Sequence, residues 1–384
     1  MLVSYFFSSP GGDVTIDDAT LQRPLILSPF ENHPFLTLGD YFDAVRGFIL
    51  LDNGKHLVHL LTHLWDKKTE LKDIEKIIIR YEKYGSLYQI VSTEVLSQDQ
   101  QIKFAVSTAV SSEAKETLNR EFDLIQHLYY QKGLPYLPRA YYRQPITLMR
   151  EEMSETFLMT MSQWFENYHE WHFTKDENNV EHIIIWDMEG GGYRFASDHE
   201  FYEIIRQISR ILTLYYSFDT CCRIYPWHHG AGDFVVKTAG DGSIDIRLVT
   251  VRGYESIVLS GSRERADSLK AFLLFLFDIT VKMRLDKLEG VGEPYWAEAS
   301  ILRPILEGFL DALKIKELEN DSPDLKADSF TNILKSISED EIKTYFSLWI
   351  DQYRTQDPSD YTVIERHIND HIVDVYRIFQ NYPE

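Results

Sequence analysis

Ile224-Tyr225-Pro226-Trp227-His228-His229-Gly230-Ala231-Gly232-Asp233-Phe234-Val235-Val236 is the run on which the reading of this chain turns. Two imidazoles, two glycines and a carboxylate stand within residues 227–233, and an apolar strand pattern follows at once. Upstream, Phe201, Ile204, Ile205, Ile208, Ile211, Leu212 and Tyr215 keep helical spacing, which predicts a helix over 199–217 with one buried face. Downstream, residues 234–237 and 244–251 read as strands joined by the turn Ala239-Gly240-Asp241-Gly242. The polar run is therefore a loop held between a helix and a hairpin, where ligand-handling groups tend to sit. The plainer alternative is that its histidines satisfy backbone groups at a tight bend and its glycines serve only positive φ.

Further toward the start, Ile77-Ile78-Ile79-Arg80-Tyr81, the turn residues Lys83-Tyr84-Gly85-Ser86 and a β-rich stretch at 87–95 predict a hairpin. A third strand follows, in which Phe104, Val106, Thr108 and Val110 alternate with Ala105, Ser107 and Ala109. Leu118, Phe122, Ile125 and Tyr129 then predict a helix over 111–132, with Ser112 as N-cap and Gly133 as its stop. Residues 139–143 and 156–163 read as a fourth and a fifth strand. Another hairpin pairs 171–173 with 182–187 around Asp176-Glu177-Asn178-Asn179. Residues 1–70, with Pro10, Pro24, Pro29 and Pro34 and helices at 38–51 and 58–65, form an N-terminal annex. Beyond residue 263 the pattern is helical, with loops near 290–294 and 320–323.

Composition narrows the partners. The chain has 384 residues, 44% of them hydrophobic and 14% aromatic, enough for a large core. Its net charge of −21 opposes phosphate backbones and anionic lipid, so nucleic acid and membrane are not expected partners. Cys221 and Cys222 are adjacent and cannot staple distant segments, which fits a reducing compartment and a cytoplasmic protein. The start has no secretory pattern, and the most apolar stretch, 271–277, is interrupted by Asp278 and predicts a buried core helix.

The succession of three strands, a long helix, two strands, a hinge, a helix, a loop, a short hairpin and further helices resembles the protein-kinase-like superfamily. It is most similar to the small-molecule branch of aminoglycoside and choline phosphotransferases, over residues 73–285. The resemblance implies an α+β, two-lobed fold: an antiparallel N-lobe sheet at 71–163 and a mainly helical C-lobe at 164–384. It also implies charge-handling groups around a polyphosphate. Glu121 matches the helix glutamate that fixes a strand lysine, but Ser107 stands where that lysine belongs. Lys103 lies on the same strand face, four residues away. The central loop resembles the H-x-D-x-x-x-x-N pattern with Asp233 at the metal-ligating position and His228 at the catalytic-acid position; Pro226 replaces the usual His or Tyr. After the next strand, Thr250 or Arg252 stands where a second metal-binding acid is expected, and Arg252 would repel Mg²⁺.

The resemblance thus implies a degenerate, bacterial-type, pseudokinase-like protein, non-catalytic, acting as a ligand-binding or regulatory module for an unknown small molecule or protein. Its pocket would be framed by Ser107, Glu121, residues 161–165, His228, Asp233 and Thr250. No cofactor is expected under this reading. A divergent small-molecule phosphotransferase would use His228 as base, Asp233 for Mg²⁺, and Lys103 or Arg252 for ATP phosphates. A third reading is a structural or interaction protein with only superficial kinase likeness. His169-Glu170-Trp171-His172 could join His228, His229 and Asp233 around a metal, though the spacing departs from H-E-x-x-H and a structural role is the alternative. Gly190-Gly191-Gly192 reads as an anion-presenting turn or a connector. Asp278, on an apolar helix, needs a bonded partner unless it is partly exposed at the helix edge; the resemblance implies that it supports the catalytic-loop backbone.

Overall fold

The structure, a computed structural model, describes the chain except residues 10, 29–30, 85–86, 188–191, 229–231, 258–264, 291–293, 320, 322–324, 357 and 384. It divides into two compact units, the first built on Met1–Glu166 and the second on Asn167–Asp187 and Tyr193–Glu384.

The first unit is organised by a seven-stranded sheet of order β2-β1-β5-β6-β7-β9-β8. Its strands are β1 (Leu2–Phe7), β2 (Val14–Thr15), β5 (Lys76–Tyr84), β6 (Gln89–Leu96), β7 (Gln101–Ala109), β8 (Ala140–Arg150) and β9 (Met153–Gln163). A small pair, β3 (Pro24–Ser28) and β4 (Glu31–Thr37), and the helices α1 (Asp18–Leu21), α2 (Leu38–Ile49) and α3 (Leu51–Leu64) precede β5. The expected antiparallel sheet is in fact mixed. β1 runs parallel to β5 in register Leu2↔Lys76 to Phe7↔Tyr81, because β5 is an edge whose backbone groups need partners. Period-2 alternation then sorts the faces: Ile77, Ile79, Val91, Val95, Phe104, Val106, Met159 and Met161 join Tyr41, Phe42, Val45, Phe48, Leu57 and Leu61 in one core. The annex helices α2 and α3 therefore cover one sheet face.

A separate cluster of Ala109, Leu158, Ala114 and Leu118 seats the long helix α4 (Ser112–Lys132). Its N-cap is Ser111, one residue before the expected Ser112; Ser111 Oγ accepts from the Ala114 N–H at 3.1 Å. Gly133 ends the helix at φ 61°, as expected for a left-handed cap. The fourth and fifth strands run longer than their apolar patterns suggested and turn back on each other at Glu151, with φ 55°.

In the second unit, β10 (Glu170–Lys175), β11 (Glu181–Trp186) and β12 (Arg194–Phe195) form a three-stranded sheet. Helix α5 (Asp198–Tyr215) starts in a capping box in which Ser197 and Glu200 satisfy each other's backbone N–H. Two short pairs follow: β13 (Cys222–Ile224) with β16 (Tyr254–Ser256), and β14 (Phe234–Thr238) with β15 (Ile244–Leu248). The remainder is α6 (Arg265–Lys282), the pair β17 (Leu285–Lys287) and β18 (Pro294–Trp296), then α7 (Leu302–Leu318), α8 (Ala327–Ser336), α9 (Glu339–Gln356) and α10 (Pro358–Gln380). The β17–β18 pair flanks the loop expected near 290–294, in a region otherwise read as helical.

Helix α6 is buried on every side from Ala271 to Lys282, which accounts for its apolar run. Among the described residues no helix is long and apolar enough to cross a membrane. Helix α7 meets α5 through Gly308, where an added Cβ would fall 1.9 Å from the Arg206 carbonyl oxygen. That backbone-to-backbone approach requires glycine.

Candidate functional site

The charged centre of the second unit lies where β13, β14, β15 and β16 converge. β13 runs into Tyr225 and a cis Tyr225–Pro226 peptide, then Trp227 and His228. Trp227 is buried edge-on against Phe234, the first residue of β14, with ring centroids 5.9 Å apart. The return strand closes the loop: the Val249 N–H donates to the Asp233 carbonyl at 2.8 Å, and the Tyr225 N–H to the Gly253 carbonyl at 3.1 Å. Gly253 permits this approach, since a Cβ there would sit 2.4 Å from the Tyr225 carbonyl oxygen.

Asp233, 1% exposed, stands inside this frame. Its Oδ2 accepts the His228 backbone N–H at 2.7 Å and a bond from Arg252 Nη1, while Oδ1 accepts Arg252 Nη2 at 2.6 Å. A guanidinium laid across both oxygens is the strong, bidentate form of ion pair. The carboxylate expected to hold a cation is thus engaged by a cation from its own chain. Arg252, expected to repel Mg²⁺ or, under the phosphotransferase reading, to hold ATP phosphates, sits on that carboxylate itself. His228 contributes its backbone N–H to the same carboxylate. Thr250 is half-buried between β15 and Arg252.

Asp278 is 1% exposed on α6, and a carboxylate so buried needs bonded partners. The partners are side chains from distant segments: Arg223 Nε donates at 3.2 Å and the Tyr353 hydroxyl at 3.0 Å. Arg223 leads directly into the Tyr225 ring, 4.5 Å from its centroid. Asp278 therefore supports the loop through β13, by way of the Arg223 side chain.

The first unit holds the remaining sequence candidates. On β7, Phe104 and Val106 face the annex core and Thr108 accepts from the Tyr41 hydroxyl at 3.3 Å. Alternation turns Lys103 and Ser107 to the opposite face. Ser107 is half-buried, paired with Ile90 on one side and Thr160 on the other. Lys103 does not stand bare: its Nζ lies 3.7 Å from Glu82 Oε1 and 4.3 Å from the Trp164 ring centroid. Glu121 is 6% exposed on the same stripe of α4 as Ala114, Leu118 and Ile125. The structure brings Asp233, Arg252 and His228 together in the second unit; Ser107, Lys103, Glu121 and residues 161–165 belong to the first.

Of the suggested metal ligands, His172 is buried against Trp186, with centroids 4.7 Å apart, and lies 3.9 Å from Asp286. His169 bridges backbone to backbone with Val236 and lies 3.8 Å from Asp187. Among the described residues no group of three His, Cys, Asp or Glu side chains could hold a metal ion. His229, Gly190 and Gly191 lie outside the described residues.

Sequence reasoning missed a cavity of ≈ 510 Å³ in the second unit, lined by Asn167, His169, Asp187, Arg194, Glu200 and Thr238 among others. Its floor is a closed network in which Arg194 forks onto Glu200 at 2.6 and 3.0 Å and Thr238 donates to Glu200 at 2.8 Å. The capping-box pattern at Ser197 and Glu200 was the only local signal for it. A scan against protein-family models matches none, and a search of curated proteins finds no match to the sequence.

Proposed function

We propose that this chain is a protein-kinase-like protein whose phosphate-transfer residues are replaced, acting as a non-catalytic ligand-binding or regulatory module. The observation that carries this reading is the Arg252 fork on Asp233. A divalent cation at that carboxylate would have to displace an internal guanidinium from a site only 1% exposed. The order β5, β6, β7, α4, β8, β9, then α5, the loop and the β14–β15 hairpin supports the same reading, because it keeps the succession of elements on which the resemblance rests. A further replacement and the setting of a nearby lysine agree. A neutral Ser107 stands at the lysine position, and Lys103, the nearest cation on that face, is held by Glu82 and Trp164.

The ligand of such a module needs a pocket rather than a metal, and the polar cavity beside Arg194 and Glu200 offers one of ordinary ligand size. Thermal-shift titration with Mg–ATP tests the reading. The expected result is no magnesium-dependent stabilisation; a large one, abolished by Asp233→Ala, overturns it in favour of a working phosphotransferase.

A further inference from the structure

Lys175 at the end of β10, Arg284 just before β17, and Arg366 on α10 line a second pocket of ≈ 470 Å³ in the second unit, with Trp296 and His367. The chain carries a net −21, so three cations converging on one concavity run against its overall charge.

Their bonding shows what they lack. Arg284 is 6% exposed; its Nε donates to the Ala297 carbonyl at 2.7 Å, and its Nη1 reaches His371 Nδ1 at 3.2 Å and Asp374 at 3.4 Å. Among the described residues its Nη2 has no hydrogen-bond partner. Lys175 has an aromatic contact, 5.0 Å from the Tyr295 centroid, and neither it nor Arg366 forms an ion pair with a described residue. The neighbouring acids already have partners, Asp374 on Arg284 Nη1 and not on Nη2. Glu181 accepts from the Tyr295 hydroxyl at 2.7 Å and the Glu298 N–H at 2.9 Å, and Asp374 accepts from Arg284. Among the described residues, Glu298 is the one acid in the pocket lining.

The wall is preorganised. Trp296 is stacked with His367, with centroids 5.4 Å apart and planes within 6°, and the Arg284 guanidinium lies 4.8 Å from the Trp296 centroid. Behind it, Arg284 donates to His371 Nδ1, which leaves His371 Nε2–H to donate to Thr280 Oγ1 at 3.1 Å. Thr280 in turn donates to the Phe277 carbonyl at 2.8 Å. This chain of bonds fixes Arg284 in place.

We propose that this pocket binds a small phosphate monoester, its dianionic oxygens received by Lys175, Arg284 Nη2 and Arg366. A phosphate presents several acceptor oxygens to donors arriving from three elements, whereas a single carboxylate offers one planar edge. Calorimetric titration of the full chain with inorganic phosphate and with glycerol 3-phosphate tests it. Lys175→Gln and Arg366→Gln alter side chains outside the core, and circular dichroism checks that each variant folds. Saturable binding of glycerol 3-phosphate, weakened about tenfold or more in each variant, is expected. Absence of saturable binding to the unaltered chain, or unchanged binding in the double variant, overturns the proposal. Tighter binding of succinate than of glycerol 3-phosphate overturns the choice of phosphate.

Discussion

Replacing Arg252 by Met keeps an unbranched side chain and removes the guanidinium from Asp233. The carboxylate, 1% exposed, would keep the His228 N–H at 2.7 Å but lose both charge-assisted bonds from Arg252. Removing one partner of a buried ion pair costs about 3–5 kcal/mol. Because the Arg252 side chain is 23% exposed, solvent already screens part of the pair, and about 2–4 kcal/mol is the expected loss. The mirror substitution, Asp233→Asn, leaves the charge on the partner that can turn to water, and should cost less, about 1–2 kcal/mol. Urea unfolding of the two variants beside the unaltered protein measures both midpoints, with m unchanged if the native fold is kept. In Arg252→Met the freed carboxylate should also respond to Mg²⁺. A site of about 1 mM affinity would gain about 1.4 kcal/mol at about 10 mM ion, a gain absent from the unaltered chain. A loss under about 1 kcal/mol in Arg252→Met, or a greater loss in Asp233→Asn, refutes the idea that Arg252 neutralises a buried acid.

Glu200 is pushed up by burial, yet bonds from Arg194, Ser197 and Thr238 outweigh this and hold its carboxyl at about 2 against an ordinary 4.5. Its folded pKa is depressed, so its contribution is complete above about 4.5 and lost as pH falls toward about 2. With Arg194's side chain 41% exposed, about 1–2 kcal/mol is at stake, and acid titration of stability in Glu200→Gln should lack that loss. His371, lowered by burial and by Arg284, stays neutral in the fold but takes up a proton below about 6.5 once unfolded. Stability should therefore decline as pH drops from about 6.5, and the slope of unfolding free energy against pH should shrink by up to one proton in His371→Gln. Gly308→Ala would drive a Cβ into the backbone of α5, and a loss of roughly 3 kcal/mol in chemical denaturation is expected; a loss under about 1 kcal/mol would show that the two helices slide apart freely.

Elements that depend on neighbours in sequence were legible from sequence. The stripe of Ile204, Ile208, Ile211 and Tyr215 is the buried face of α5, and the alternation around Phe104 and Val106 is β7. Elements that depend on distant pairing were not. β1 exists because β5 offers an edge 74 residues on, judging by Leu2↔Lys76, and three-residue strands such as β13 and β16 have too little pattern to register. The site divides the same way. Arg252 was visible as a wrong-signed residue where an acid was expected, but its seat on Asp233 is a tertiary fact. Asp278 announced a bonded partner by its apolar setting, yet Arg223 and Tyr353 lie 55 and 75 residues away, and no local spacing names them.

The charges along and just beyond α6 bear on how the second unit can be assembled during synthesis. Lys282 finds Asp360 at 3.3 Å, and Arg284 finds His371 and Asp374, all on α10; Asp278 takes the Tyr353 hydroxyl from α9. A nascent chain that has just released α6 from the ribosome therefore carries Lys282 and Arg284, both destined for the interior, before Asp360, His371 and Asp374 have been translated. Closure of that interior must wait for α9 and α10, which makes this helix pair a structural keystone.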